Sequence, residues 1–272
     1  VTFRWDGGFI MVSWDGFEEG VEWYTKHFGW SCLDKVISPV GKKAFMKMPR
    51  LGVVTLKSFE GNYEHFQKGC GIEGQLRLCF EILDIERSLS YFKKEGIEAT
   101  PIAELPGGLK SFDIIAYEKA RITAVYNPDE AGHFPDARIT GFGPVNARIA
   151  VRNLDDAISW YEEHLGFKLA KRFGSEFAHM QLEDAYDWIQ HKQVFHDSVW
   201  LEMAAGAVFE KGNPSVRNYF DLRPDEFYHT YELLSNKGLS PSEIAGNPAT
   251  GWGGFHFFDP DGNMINVWSY PS

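Results

Sequence analysis

His179, His191, His196 and His256, together with Glu202, are the side chains of this sequence best suited to hold a metal, because neutral imidazole and carboxylate are ordinary ligands for divalent transition ions. His179 lies in a short apolar stretch at 177–182 and His256 in another at 255–258, so both can face a cavity. His191 and His196 fall in an irregular insertion at 186–197 without helical ligand spacing. Surface or core placement accounts for these histidines more simply than a ligand set does. Trp200, Trp252 and Trp268 lie in or near stretches that would line the same cavity, and an aromatic wall with a few placed polar groups suits a small organic ligand. Most of the other aromatic residues belong to the core.

Other chemistries are disfavoured. There is no GxSxG elbow, P-loop or dinucleotide fingerprint, and Gly69-Cys70-Gly71 is followed by no phosphate-binding helix signature. Asp259-Pro260-Asp261-Gly262-Asn263 lacks the remainder of a calcium loop and reads as a tight turn. Cys32, Cys70 and Cys79 form no CxxC pair, which points away from disulfides and zinc and toward a reducing compartment. A net charge of -11 argues against nucleic acid as a partner, and no apolar run approaches the roughly 20 residues that span a bilayer. The expectation is a cytoplasmic protein.

The elements that must position these residues show a repeat. Trp23-Tyr24-Thr25-Lys26-His27-Phe28-Gly29-Trp30 returns as Trp160-Tyr161-Glu162-Glu163-His164-Leu165-Gly166-Phe167, 137 residues on. Phe17, Val21, Tyr24 and Phe28 have helical spacing, and Leu154, Ile158, Tyr161 and Leu165 repeat the stripe. Asn153 is the expected cap of the second helix and Gly166 its left-handed stop. His27 and His164 sit in last turns, where a partly protonated ring complements the helix dipole. Strands are expected at 8–14, 43–48, 53–59, 77–83, 145–151, 177–182, 199–204 and 218–222, with a closing hairpin at 255–258 and 264–268. Further helices are expected around 88–95 and 226–237. A linker at 127–135 places the boundary near residue 137, giving halves 1–137 and 138–272.

This order of strand, capped helix, Leu-Gly-Phe stop and final Asp-Pro-Asp-Gly-Asn turn closely resembles the vicinal oxygen chelate superfamily, which includes glyoxalase I, bleomycin-resistance proteins and extradiol dioxygenases. The match is clearest after residue 137; before it, Tyr117-Glu118-Lys119-Ala120 stands where the hairpin signature would be. The resemblance implies an α+β fold of two tandem glyoxalase-like halves, each of paired β-α-β-β-β units forming a curved half-open barrel. It also implies a ligand set for a divalent metal. Those positions fall on Asn146, Glu202, Arg217 and Asn266 in the second half and on Phe9, Thr55, Arg77 and Thr123 in the first. Guanidinium has no free lone pair, Phe cannot ligate, and neutral Asn or Thr oxygens are poor ligands for a transition metal.

The expected function is therefore binding of a small organic, aromatic or antibiotic-like molecule in the second-half cavity, without a cofactor. Asn146, Glu202, Arg217, Asn266, Trp200, Trp252 and His256 are the expected ligand-binding residues, with Arg217 and Glu202 within hydrogen-bond reach of each other. One alternative is a metal-dependent lyase or dioxygenase using His179, Glu202 and His256 on a divalent ion; another is a non-catalytic scaffold. The resemblance leaves monomer and homodimer open.

Overall fold

The computed structural model describes residues 3–39, 41–59, 73–128, 134–182, 198–203, 207–250 and 252–269. The chain divides into two compact units, one of Gly8–Asn146 with Asn213–Val216, the other of Val1–Gly7, Ala147–Gly212 and Arg217–Ser272. The division falls inside a strand, beyond the linker-like stretch around residue 137.

One β-α-β-β-β pattern occurs four times, in the α+β architecture implied by the resemblance. In the first unit β1 (Arg4–Met11, from Gly8 on) leads into α1 (Phe17–Phe28), then β2 (Ser31–Ser38), β3 (Gly41–Lys47) and β4 (Val53–Phe59). The second pattern is β5 (Leu76–Ile82), α2 (Ile85–Lys94), β6 (Ala103–Leu105), β7 (Leu109–Ile115) and β8 (Arg121–Tyr126). The second unit repeats it in β9 (Gly141–Ala150), α3 (Leu154–Leu165), β10 (Lys168–Phe173), β11 (Phe177–Gln181) and β12 (Ser198–Glu202). It repeats again in β13 (Val216–Leu222), α4 (Pro224–Asn236), β14 (Ala245–Asn247), β15 (Trp252–Phe258) and β16 (Met264–Ser269). Each time the first strand pairs in parallel with the last, as a helical crossover requires, and the remaining neighbours are antiparallel. Within the second unit the β9–β12–β11–β10 run and the β13–β16–β15–β14 run belong to different sheets.

Each helix covers one face of its strands. In the second unit Trp160 packs on Phe257, Phe227 on Phe255, and Phe167 on Phe220, so the odd residues of β15 and β16 turn toward helices. Asn153 caps α3, its side chain accepting from the N–H groups of Asp155 at 3.0 Å and Asp156 at 3.2 Å. Gly166 ends that helix at φ 76°, a left-handed position that costs glycine least.

The Asp259 turn is a structural anchor. Its carboxylate accepts from Asp261 N–H (2.9 Å), Asn263 N–H (2.8 Å), Asn263 Nδ2 (2.8 Å) and the Tyr161 hydroxyl (3.0 Å), and Asn263 Nδ2 also donates to the Ala150 carbonyl at 3.0 Å. The turn is thereby tied to α3 and to the end of β9. The first unit solves the same problem differently: Glu118 accepts from Ser13 N–H at 2.6 Å and Ser13 Oγ at 2.5 Å. That arrangement holds Glu118 at φ 53° and Lys119 at φ 71°, where a side chain is strained. Tyr24, the repeat partner of Tyr161, is buried, and among the described residues its hydroxyl has no hydrogen-bond partner.

Candidate polar sites on the helix-free sheet faces

Strand register decides which nominated residues can meet, because neighbours in register share a face and residues one apart do not. On the first sheet face of the second unit, Trp200 is opposite Arg148 and His179, and Glu202 is opposite Ala150 and Phe177. These residues point away from the helix-facing Ile149, Leu201 and Met180. Glu202 is buried, and the guanidinium that meets it is that of Arg148, with Nε 2.8 Å and Nη2 2.7 Å from Oε2. Trp200 is buried, and its indole N–H lacks a hydrogen-bond partner among the described residues. Asn146 is also buried, on β9, at the end of the other unit.

The second face is carried by the other sheet. Asn266 is opposite Tyr219 on one side and His256 on the other, while Trp268 is opposite Asp221 and Gly254. Alternation places Arg217 on that face too, two residues from Tyr219. Arg217, Tyr219 and Asn266 are buried, and the Tyr219 and Trp268 rings lie 6.4 Å apart. The amide Nδ2 of Asn266 has no hydrogen-bond partner among the described residues. Asp221 belongs to this face, and its carboxyl is pushed up to about 7 by burial and by the nearby Asp6 carboxylate, opposed by Arg4. Trp252 occupies β15, but its side chain lies outside the described set.

Glu202 is thus carried by one sheet and Arg217 and Asn266 by the other. Arg148, which the sequence did not single out, is a guanidinium partner of Glu202. The partner was visible as a basic residue on the neighbouring strand, but only the parallel β9–β12 register brings it opposite Trp200 and next to Glu202. The helix-end histidines also differ from expectation. Burial lowers the pKa of both His27 and His164, favouring neutral rings, and His27 Nδ1 lies 3.2 Å from the Tyr91 hydroxyl. His191 and His196, and Gly69-Cys70-Gly71, fall outside the described residues.

In the first unit, Arg77 and Thr123 converge on a residue that sequence reading did not nominate. Asp113 accepts from Arg77 Nη1 (2.9 Å), Arg121 Nε (2.8 Å) and Thr123 Oγ1 (2.7 Å). Alongside it, Glu81 is held by Arg50 Nε (2.6 Å) and Nη2 (2.7 Å), Asn127 Nδ2 (2.9 Å) and Thr140 Oγ1 (2.7 Å). Phe9 is opposite Thr55, and the Lys57 ammonium stands 4.5 Å from the Phe9 ring.

A divalent metal does not fit these donor sets. Two of the positions where the superfamily resemblance implies ligands carry fixed cations, Arg77 and Arg217, and Glu202, Asp113 and Glu81 already meet guanidinium groups. Among the described residues no group of three or more His, Cys, Asp or Glu is gathered as an ion would require. His179 and Glu202 share one face, whereas His256 is on the other sheet.

Comparisons with known proteins agree with this architecture. Residues 141–267 match the model of the Glyoxalase/Bleomycin resistance protein/Dioxygenase superfamily. Glyoxalase I from Zea mays is similar over 98% of this chain and 92% of its own, with TM-score 0.65 and 18% identity. A Bacillus subtilis protein provisionally called a dioxygenase is similar over 99% of this chain and 86% of its own, with TM-score 0.67 and 12% identity. Comparison with curated protein sequences finds no match. The protein has the vicinal oxygen chelate fold, and its second half matches the glyoxalase/bleomycin-resistance/dioxygenase family. At these identities the structural likeness defines the fold and leaves the chemistry to the residues.

Proposed function

We propose that the protein binds a small organic molecule, aromatic in part, on the β13–β16–β15 face, without a catalytic metal. The observation that carries this reading is the Asn266 amide, a buried donor without a hydrogen-bond partner among the described residues. Leaving such a group unmade costs about 1–3 kcal/mol, which a ligand oxygen would recover on binding. Tyr219 and Trp268 supply the aromatic walls, and Arg217 favours an electron-rich ligand. On the Asp113 face of the first unit Arg77, Arg121 and Thr123 all donate to one carboxylate, so that face is read as structural.

Quenching of tryptophan fluorescence by a panel of phenols, aromatic ketones and aromatic amides finds ligands. For each one that binds, Asn266→Leu is expected to weaken affinity at least tenfold. A ligand whose affinity survives that change in a folded protein places binding elsewhere. A stoichiometric, tightly held transition metal in protein purified without chelator would overturn the metal-free part.

A further inference from the structure

A separate cavity of about 250 Å³ opens in the first unit, between α2 and the segment entering β9. Arg87 and Tyr91 on α2 line one side. Arg138, Phe134 and Pro135 line the other. Its charge pattern is unusual for a protein with 38 acidic and 27 basic residues. In such a chain, an arginine at the surface ordinarily finds a carboxylate. Arg87 makes no side-chain hydrogen bond or ion pair among the described residues, and Arg138 donates only to the Asp136 carbonyl.

The Arg138 guanidinium carbon stands over the Tyr91 ring, 3.9 Å from its centre, and the Tyr91 hydroxyl in turn meets His27 at 3.2 Å. Contact with the ring restrains the guanidinium, whose remaining N–H groups suit planar or tetrahedral oxyanions. The one carboxylate in the lining is Asp84, and it is engaged as the α2 cap, accepting from Arg87 N–H at 3.0 Å. Leu83, Phe134 and Pro135 make part of the wall apolar, beside the hydroxyl-bearing Ser88 and Thr140. The cavity's size suits a single ring with a charged substituent.

We propose that this cavity binds a small organic oxyanion, a carboxylate or phosphate monoester attached to an apolar or aromatic body, with Arg87 and Arg138 as the charge-recognising residues. The anion lies between the two guanidinium groups and the ring against Phe134 and Pro135. This site is distinct from the β13–β16–β15 face and does not depend on ligand binding there.

The test is isothermal titration of the whole protein with benzoate, phenyl phosphate, inorganic phosphate and neutral benzamide. Saturable binding of benzoate or phenyl phosphate, at least tenfold tighter than benzamide and weakened by salt, is expected. Preference between the two aromatic anions assigns the carboxylate or the phosphate class. Inorganic phosphate binding as tightly as phenyl phosphate would overturn the apolar half of the proposal. Arg87→Met and Arg138→Met should each weaken the preferred anion at least tenfold, whereas Asn266→Leu should leave it unchanged. Arg87 is exposed, so Arg87→Glu provides a variant whose folding is not in question, and it should abolish binding. Absence of saturable binding by either aromatic anion, or affinity retained in folded Arg87→Glu, would refute the site.

Discussion

Asp221 shows how a single buried group sets a measurable property. Its carboxyl is pushed up to about 7 from an ordinary value of 3.8, by burial first and by Asp6 second. Below the lower value the group is protonated in both folded and unfolded chains, so it contributes no pH dependence there. Between the two values the folded protein retains a proton that the unfolded chain has released, so stability falls as pH rises through this window and levels off above about 7. The loss is on the order of 3 kcal/mol when discounted for partial exposure. Asp221→Asn is therefore expected to raise Tm at pH 8 and leave it nearly unchanged at pH 4, in parallel thermal melts. An equal shift at both pH values would mean that charge is not the cause. Arg148→Met should act in the opposite sense, removing a guanidinium from the buried Glu202 carboxylate and costing about 3–5 kcal/mol in urea unfolding. A loss within 1 kcal/mol would show the pair to be expendable.

At the scale of elements, the repeat was legible because helix stripes and stops are local. Phe17–Phe28 and Leu154–Leu165 stand at the expected 137-residue separation, and Asn153 and Gly166 serve as cap and stop. The edge strands β2 and β10 were not legible: nearly all their residues are exposed or half-buried, so no apolar alternation marks them. The site was less legible than the fold, since its residues become neighbours only through strand register and sheet membership. Arg148 and Asp113 acquire their roles in this way, each lying across a strand pair from residues the sequence did nominate. The first-unit turn shows where local chemistry departs from the repeat, Glu118 and Lys119 taking positive φ without glycine. Lys119→Gly should relieve that strain and raise stability by about 0.5–1 kcal/mol, since the left-handed conformation costs an L-residue about 1–2 kcal/mol and glycine returns part of this as chain entropy. A destabilised Lys119→Gly protein in denaturant melts would show that the side chain contributes more than its backbone costs.

For the molecule as a whole, the decisive question is whether the second unit's polar residues act as one site or two. Sequence position alone suggests a ring around Glu202, but β12 and β13 belong to different sheets, and each carries its own buried polar residues. On the β13–β16–β15 face, His256 and Asn266 are direct neighbours and Arg217 is diagonal to Asn266 through Tyr219. Replacing the guanidinium and the amide by metal-ligating groups, Arg217→His with Asn266→Glu, should therefore create a zinc site completed by the existing His256. Binding to the folded state alone would stabilise it by about 2.7 kcal/mol at a hundredfold excess of zinc over Kd, visible as a rise in Tm that the parent does not show. Adding Glu202→Ala to this double variant should leave zinc affinity unchanged, because Glu202 is on the other sheet with Arg148. A zinc affinity that falls tenfold or more on losing Glu202, in a folded protein, would instead require one shared cavity and would return Glu202 to the same site as Arg217.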